Sequence, residues 1–142
     1  MQMIKEFRHY LKIFRDLVQS LPVDQVVYDE GSNVGQIAFH AAQSSNNFLR
    51  AHVLRIGFDR NKPAEYGKQH SLDEVNNSLD MALVACEMIE KKNPDMNEKL
   101  ASPIEIKSGN FTIENNMEAL AYGLSHLAEH YGELSQVKRE LK

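Results

Sequence analysis

Apolar residues recur at three- and four-residue spacings through several separate stretches of the chain, and that period belongs to helices. In the first stretch, about Ile4 to Leu21, residues Phe7, Tyr10, Leu11, Phe14, Val18 and Leu21 form one stripe, and Pro22 follows as a stop signal. Glu6 and His9 fall on the other side of that helix. The second stretch runs from about Asn33 to Ile56. Gly31-Ser32-Asn33 supplies turn and N-cap chemistry, Gln36 stands three residues after Asn33, and Gly57 is a terminator. Phe58 to His70 contains Pro63, Gly67 and many polar residues and reads as a connecting loop.

The third stretch opens on Ser71-Leu72-Asp73-Glu74, a capping box with acids in the first turn. Leu72, Val75, Leu79, Ala82, Leu83 and Cys86 continue one face, and Lys91-Lys92-Asn93-Pro94 ends it. The pattern then changes to alternation: Ile104 to Lys107, a turn at Ser108-Gly109-Asn110, and Phe111 to Ile113 predict a small hairpin or an extended loop. The fourth helical stretch starts near Thr112 or Ile113 and runs almost to the C-terminus. The fold class expected is all-α, an antiparallel four-helix bundle with that hairpin or loop before its last helix.

With 142 residues, 42% of them hydrophobic, residues 1–142 make a single domain able to bury a core. A formal net charge of -4 excludes a nucleic-acid binder that works through a broad basic face. The longest apolar run, Met81 to Cys86, falls far short of the roughly 20 residues of a membrane span. The first ten residues have no apolar core of a secretory signal, and a single cysteine makes no internal disulfide, so the expected location is cytoplasmic. Cys86, mid-helix on an apolar face, reads as a small buried hydrophobe.

Candidate chemistry lies in the histidines. His126 and His130 are one helical turn apart, with Cβ atoms roughly 5–6 Å from each other, so both rings can reach one ion at about 2.0–2.1 Å. Ala119, Tyr122 and Glu133 lie on the same side. His40 is the best third ligand, because Asn33, Gln36, Ser44 and Asn47 project near its direction, with Gln43 at the margin. That polar strip lines a wet cavity or faces water, and periodicity leaves both open. His52 projects about 120° away from His40 and is not expected to join it. His70, at a helix entry, reads as a cap or loop residue. His-x-x-Glu-His matches an inverzincin pattern, but only twelve residues remain after His130 for the further ligand that pattern needs. A di-iron carboxylate site needs Glu-x-x-His on two helices, and the chain has only Glu6 to His9, opposite an apolar stripe.

Two segments resemble a known family. Gly31 to His40 (GSNVGQIAFH), followed by Phe48-Leu49, resembles the second-helix signature of the DinB-like superfamily. Leu124 to Leu134 (LSHLAEHYGEL) resembles its fourth-helix signature, and Leu21-Pro22 fits the end of its first helix. The resemblance implies a four-helix bundle holding a divalent metal on three histidines, which map onto His40, His126 and His130, with open positions for water or substrate. Members include S-transferases using bacillithiol or mycothiol, a maleylpyruvate isomerase and proteins described as metal-dependent hydrolases, and homodimers are common.

The chain departs from the family pattern at Tyr131-Gly132-Glu133, where Arg-Gly-Gln is frequent, and at Ser44-Ser45, where an acid is frequent. These departures bear on substrate and catalysis more than on metal. The function expected is a metal-dependent hydrolase or thiol S-transferase that activates water or a thiol, with zinc or nickel, or iron or manganese, as cofactor. A small-molecule substrate, a low-molecular-weight thiol and a second copy of the chain are the expected partners. Glu133 is the candidate catalytic or ligand-orienting residue, whereas Glu129 is rotated roughly 80° off the centre of the histidine pair. Gln36, Asn47 and Tyr122 are expected to line the pocket. A non-catalytic metal- or ligand-binding bundle, and a purely structural bundle, are the alternatives.

Overall fold

The computed structural model describes residues 1–27, 32–57 and 70–141. Among the described residues, four α-helices carry the core: α1 (Gln2–Gln19), α2 (Val34–Asn46), α3 (Leu72–Lys92) and α4 (Asn116–Glu140). A π-helical segment, Asn47–Val53, continues α2 directly. An antiparallel hairpin of β1 (Lys99–Ile106) and β2 (Phe111–Asn115) precedes α4. Among the described residues, no helix is long and apolar enough to cross a membrane. Gly31 and most of the connecting segment expected between Phe58 and His70 lie outside the described residues.

The helices pack so that α1 and α2 are each flanked by both α3 and α4. Ile4, Phe7, Leu11, Phe14 and Val18 are buried along the expected stripe of α1. They meet Leu79, Ala82 and Cys86 of α3 and Leu120, Leu127 and Leu134 of α4 in one hydrophobic cluster. Each large side chain so buried contributes about 1.5–3 kcal/mol. The Arg8–Glu90 and Arg15–Asp80 ion pairs join α1 to α3 at its partly exposed edge. Asn46, fully buried, donates from Nδ2 to the Ser78 carbonyl at 2.8 Å and so fixes the end of α2 against α3.

Caps set where the helices begin. The Asn33 side chain accepts from Gln36 N at 2.9 Å, and Asn33 N donates back to Gln36 Oε1 at 3.0 Å. Ser71 and Glu74 make the same reciprocal pair at the start of α3, and Asn93 closes that helix in the left-handed region at φ 46°. Gly35 permits a crossing here. A Cβ on it would sit 2.8 Å from the His70 carbonyl oxygen, while its own N–H donates to the Val23 carbonyl at 2.8 Å. The backbone bond from Ser71, then the His70 side chain, hold the Glu74 carboxyl below its usual range. The cap is therefore complete above the ordinary glutamate range and weakens as pH falls through the lowered value. Ser71→Ala should cost about 1 kcal/mol in urea unfolding at pH 7.

Two boundaries differ from the sequence expectation. The fourth helix begins at Asn116, not near Thr112, because Phe111–Asn115 pairs with β1: Ile104 faces Ile113 and Ile106 faces Phe111. Asn115 then caps α4, its Oδ1 accepting from Glu118 N at 2.9 Å. The second helical stretch does not stay α-helical to Ile56. Past Asn46 its backbone bonds skip one residue further, as in Leu54 N to Leu49 O at 3.0 Å.

Candidate metal centre

Helix α4 presents His126 and His130 on one face, and α2 brings His40 against them. Ala38, Ala41 and Ala42 of α2 are fully buried. One turn before His126, Gly123 leaves room for the π-helical continuation of α2 and for α1, since a Cβ there would lie 3.0 Å from Phe48 Cβ and 3.2 Å from Phe7 Cε2. The three rings meet edge to face. Centroids are 5.1 Å apart for His40–His126, 5.2 Å for His40–His130 and 4.6 Å for His126–His130.

One nitrogen from each ring lies within 4.8 Å of the others, close enough for the three to hold a metal ion. His126 Nε2 and His130 Nε2 are 3.3 Å apart. Two nitrogens bound to one tetrahedral ion at 2.0–2.1 Å stand about 3.3–3.4 Å from each other. The donor set therefore fits a divalent cation with three imidazole ligands. All three histidines are half-buried, so the ligands are partly shielded while one side of the group stays open.

Glu133 faces the histidine and not the cavity: its Oε1 is 3.0 Å from His130 Nδ1. A carboxylate only accepts, so this contact favours the tautomer with the proton on Nδ1, which leaves Nε2 the lone pair that a metal needs. The two side chains are 17% and 25% exposed, so solvent screens this contact less than a surface pair. Glu133→Ala should lower metal affinity about 10–100-fold, whereas Glu133→Gln, which keeps an accepting oxygen, should retain most of it. Competition titration with a chromogenic chelator measures both.

A cavity of about 530 Å³ opens beside His40 and His126. Asn47, Tyr122 and Ser44 line it. Gln36 does not line it, because its side chain is engaged in the cap of α2. His52 was not expected to join His40 as a ligand, and it does not, but it lines the same cavity. The physical cause is the π-helical segment: a wider turn advances less per residue, so the 120° offset expected of a regular helix shrinks. His52 stays outside the trio, with its Nε2 3.4 Å from Asn47 Nδ2. Sequence reasoning also missed the hairpin's part, since Ser102, Ile104 and Ile106 of β1 complete the wall. The hairpin itself was legible in the alternation of isoleucines, but not where it docks.

The other histidines have ordinary explanations. His9 is exposed beside Tyr10. His70, in the entry to α3, is buried: its ring stacks on Phe39 at 3.7 Å, and its Nδ1 is 3.3 Å from Glu74 Oε2. Glu129 is exposed, away from the trio. Cys86 is fully buried, and that burial pushes its thiol up to about 12. It stays protonated at any ordinary pH, so iodoacetamide at pH 8 should leave native protein unlabelled and label denatured protein fully.

No protein-family model matches the chain, and no curated protein matches it. The arrangement of its own residues therefore carries the functional argument.

Proposed function

We propose that this chain is an antiparallel four-helix bundle of the DinB-like type and a metal-dependent enzyme, of hydrolase or thiol S-transferase kind. The observation that carries the reading is the convergence of His40, His126 and His130 at the edge of a cavity large enough for a small metabolite. Structural metal sites are closed by four protein ligands, whereas catalytic ones keep a position open toward a pocket. In this reading the three neutral imidazoles hold the ion and Glu133 orients His130. Phe48 and Tyr122, with ring centroids 5.3 Å apart, limit water on the apolar side. Zinc or nickel suits three nitrogen donors, as do iron and manganese. A bound ion would supply Lewis acidity, making a water or a thiol more acidic near neutral pH. The protein is further proposed to be cytoplasmic and to form a homodimer, which sedimentation equilibrium checks.

The test is metal content by mass spectrometry after chelator-free purification, followed by a screen of ester, amide and thiol-transfer substrates. One divalent ion per chain with turnover supports the reading. Stoichiometric metal without turnover leaves a binding protein, and protein that takes up no divalent metal refutes the metal centre.

A further inference from the structure

The cavity has a second polar end that the metal centre does not use. Four rings run from one end to the other. His52 and Phe48 have centroids 5.8 Å apart, Phe48 and Tyr122 are 5.3 Å apart, and Tyr122 and His126 are 6.5 Å apart. Pro103, Ile104 and Ile106 of the hairpin add apolar surface to the same cavity. At the end away from the trio, the Asn47 amide stands 3.4 Å from His52 Nε2, and Ser44 and Ser102 line the same cavity. A primary amide has two N–H donors, and the contact with His52 engages one of them. Asn47 is mostly buried and lines the cavity. Glu105 is the one side chain of fixed charge among the described lining residues, and it is negative.

We infer that the cavity takes a small uncharged ligand with a flat apolar body and a carbonyl head, an aryl amide or ester. The carbonyl accepts from Asn47 while the body lies along the arc of rings. Stacking suits the body, because the aromatic wall is continuous from His52 to His126. The Asn47 donor matches an acceptor, and the carboxylate of Glu105 at the cavity wall disfavours an anionic ligand. The wider turn of the π-helical segment is what brings His52 to this end, where it orients the Asn47 amide. The head-group subsite uses no metal ligand; only the assignment of the other end as the reacting end rests on the proposed function.

The experiment compares 3-phenylpropanamide with 3-phenylpropanoate, equal in shape and different in charge, by chemical-shift titration of chelator-treated and zinc-loaded protein. The amide should bind both forms, and the carboxylate should bind the chelator-treated form at least threefold more weakly. Asn47→Asp, which turns the donor into an acceptor, should weaken amide binding about tenfold or more at unchanged metal content. Ser102→Trp, at an exposed hairpin position, should block binding with the fold intact by circular dichroism. The inference is overturned if the carboxylate binds the chelator-treated form as well as the amide does, if neither probe binds, or if both variants bind the amide like wild type. Amide binding to a protein that takes up no metal would refute the proposed function and leave this subsite standing.

Discussion

His40→Ala should reduce bound divalent metal from one per chain to less than about a tenth of that, with affinity lowered more than about 100-fold. Losing a group that merely orients a ligand already costs about 10–100-fold, and losing a ligand itself costs more. The remaining pair, with Nε2 atoms 3.3 Å apart on a single turn of α4, is a two-nitrogen site with nothing from α2 to complete it. His40 is half-buried and outside the fully buried core, so the variant should stay folded. Metal analysis after desalting, paired with circular dichroism, gives both readings. Retention of wild-type metal content by folded His40→Ala would remove α2 from the site and end the three-histidine account. Glu133→Ala serves as the graded comparison, because it alters the same centre through His130 and leaves all three nitrogens in place.

Phe7→Ala should destabilise the fold by about 3–5 kcal/mol, lowering the urea midpoint by about 1 M or more. Phe7 is fully buried, and its Cε2 lies 3.2 Å from the position a Cβ on Gly123 would occupy. It fills the space where α1, α4 and the π-helical segment meet. Truncation removes the transfer free energy of the ring and leaves a void, which fully buried Leu11 and Leu127 cannot close without moving. The folded fraction should still bind one metal per chain, because Phe7 is not among the three ligands. A cost under about 1 kcal/mol would mean that α1 packs differently. Together the two variants separate the site from the scaffold: one should lose metal and keep stability, the other the reverse.

Local signals account for most of the fold that was legible in the sequence. The stripe from Ile4 to Val18, the box Ser71–Glu74, the stop at Asn93-Pro94 and the alternation around Ser108-Gly109-Asn110 each depend on neighbours within a few residues. Each corresponds to an observed element. The start of α4 was misplaced because Phe111–Asn115 suits either a helix entry or a strand. Pairing with β1, a contact between segments, decides it. Gln36 shows the same limit at the site. A polar residue near the direction of His40 looked like a pocket residue, but its capping bond to Asn33 takes precedence.

The sequence by itself determined the helical period, the caps and the pairing of His126 with His130, since an i, i+4 relation follows from helix geometry alone. The joining of His40 to that pair was suggested by the polar strip on its helix and by the family resemblance, but periodicity left open whether that strip faced a cavity or water. In physical terms the joining depends on α2 packing against α4, with Gly123 leaving room for Phe48 of the π-helical segment. Only the tertiary structure decided that the chain winds more widely after Asn46, that His52 thereby reaches the cavity, and that the hairpin closes its wall. The reason is one of range: turns and caps are settled by bonds between near neighbours. A wider helical turn and a cavity wall arise from packing among segments distant in the chain, which no local pattern of residue types encodes.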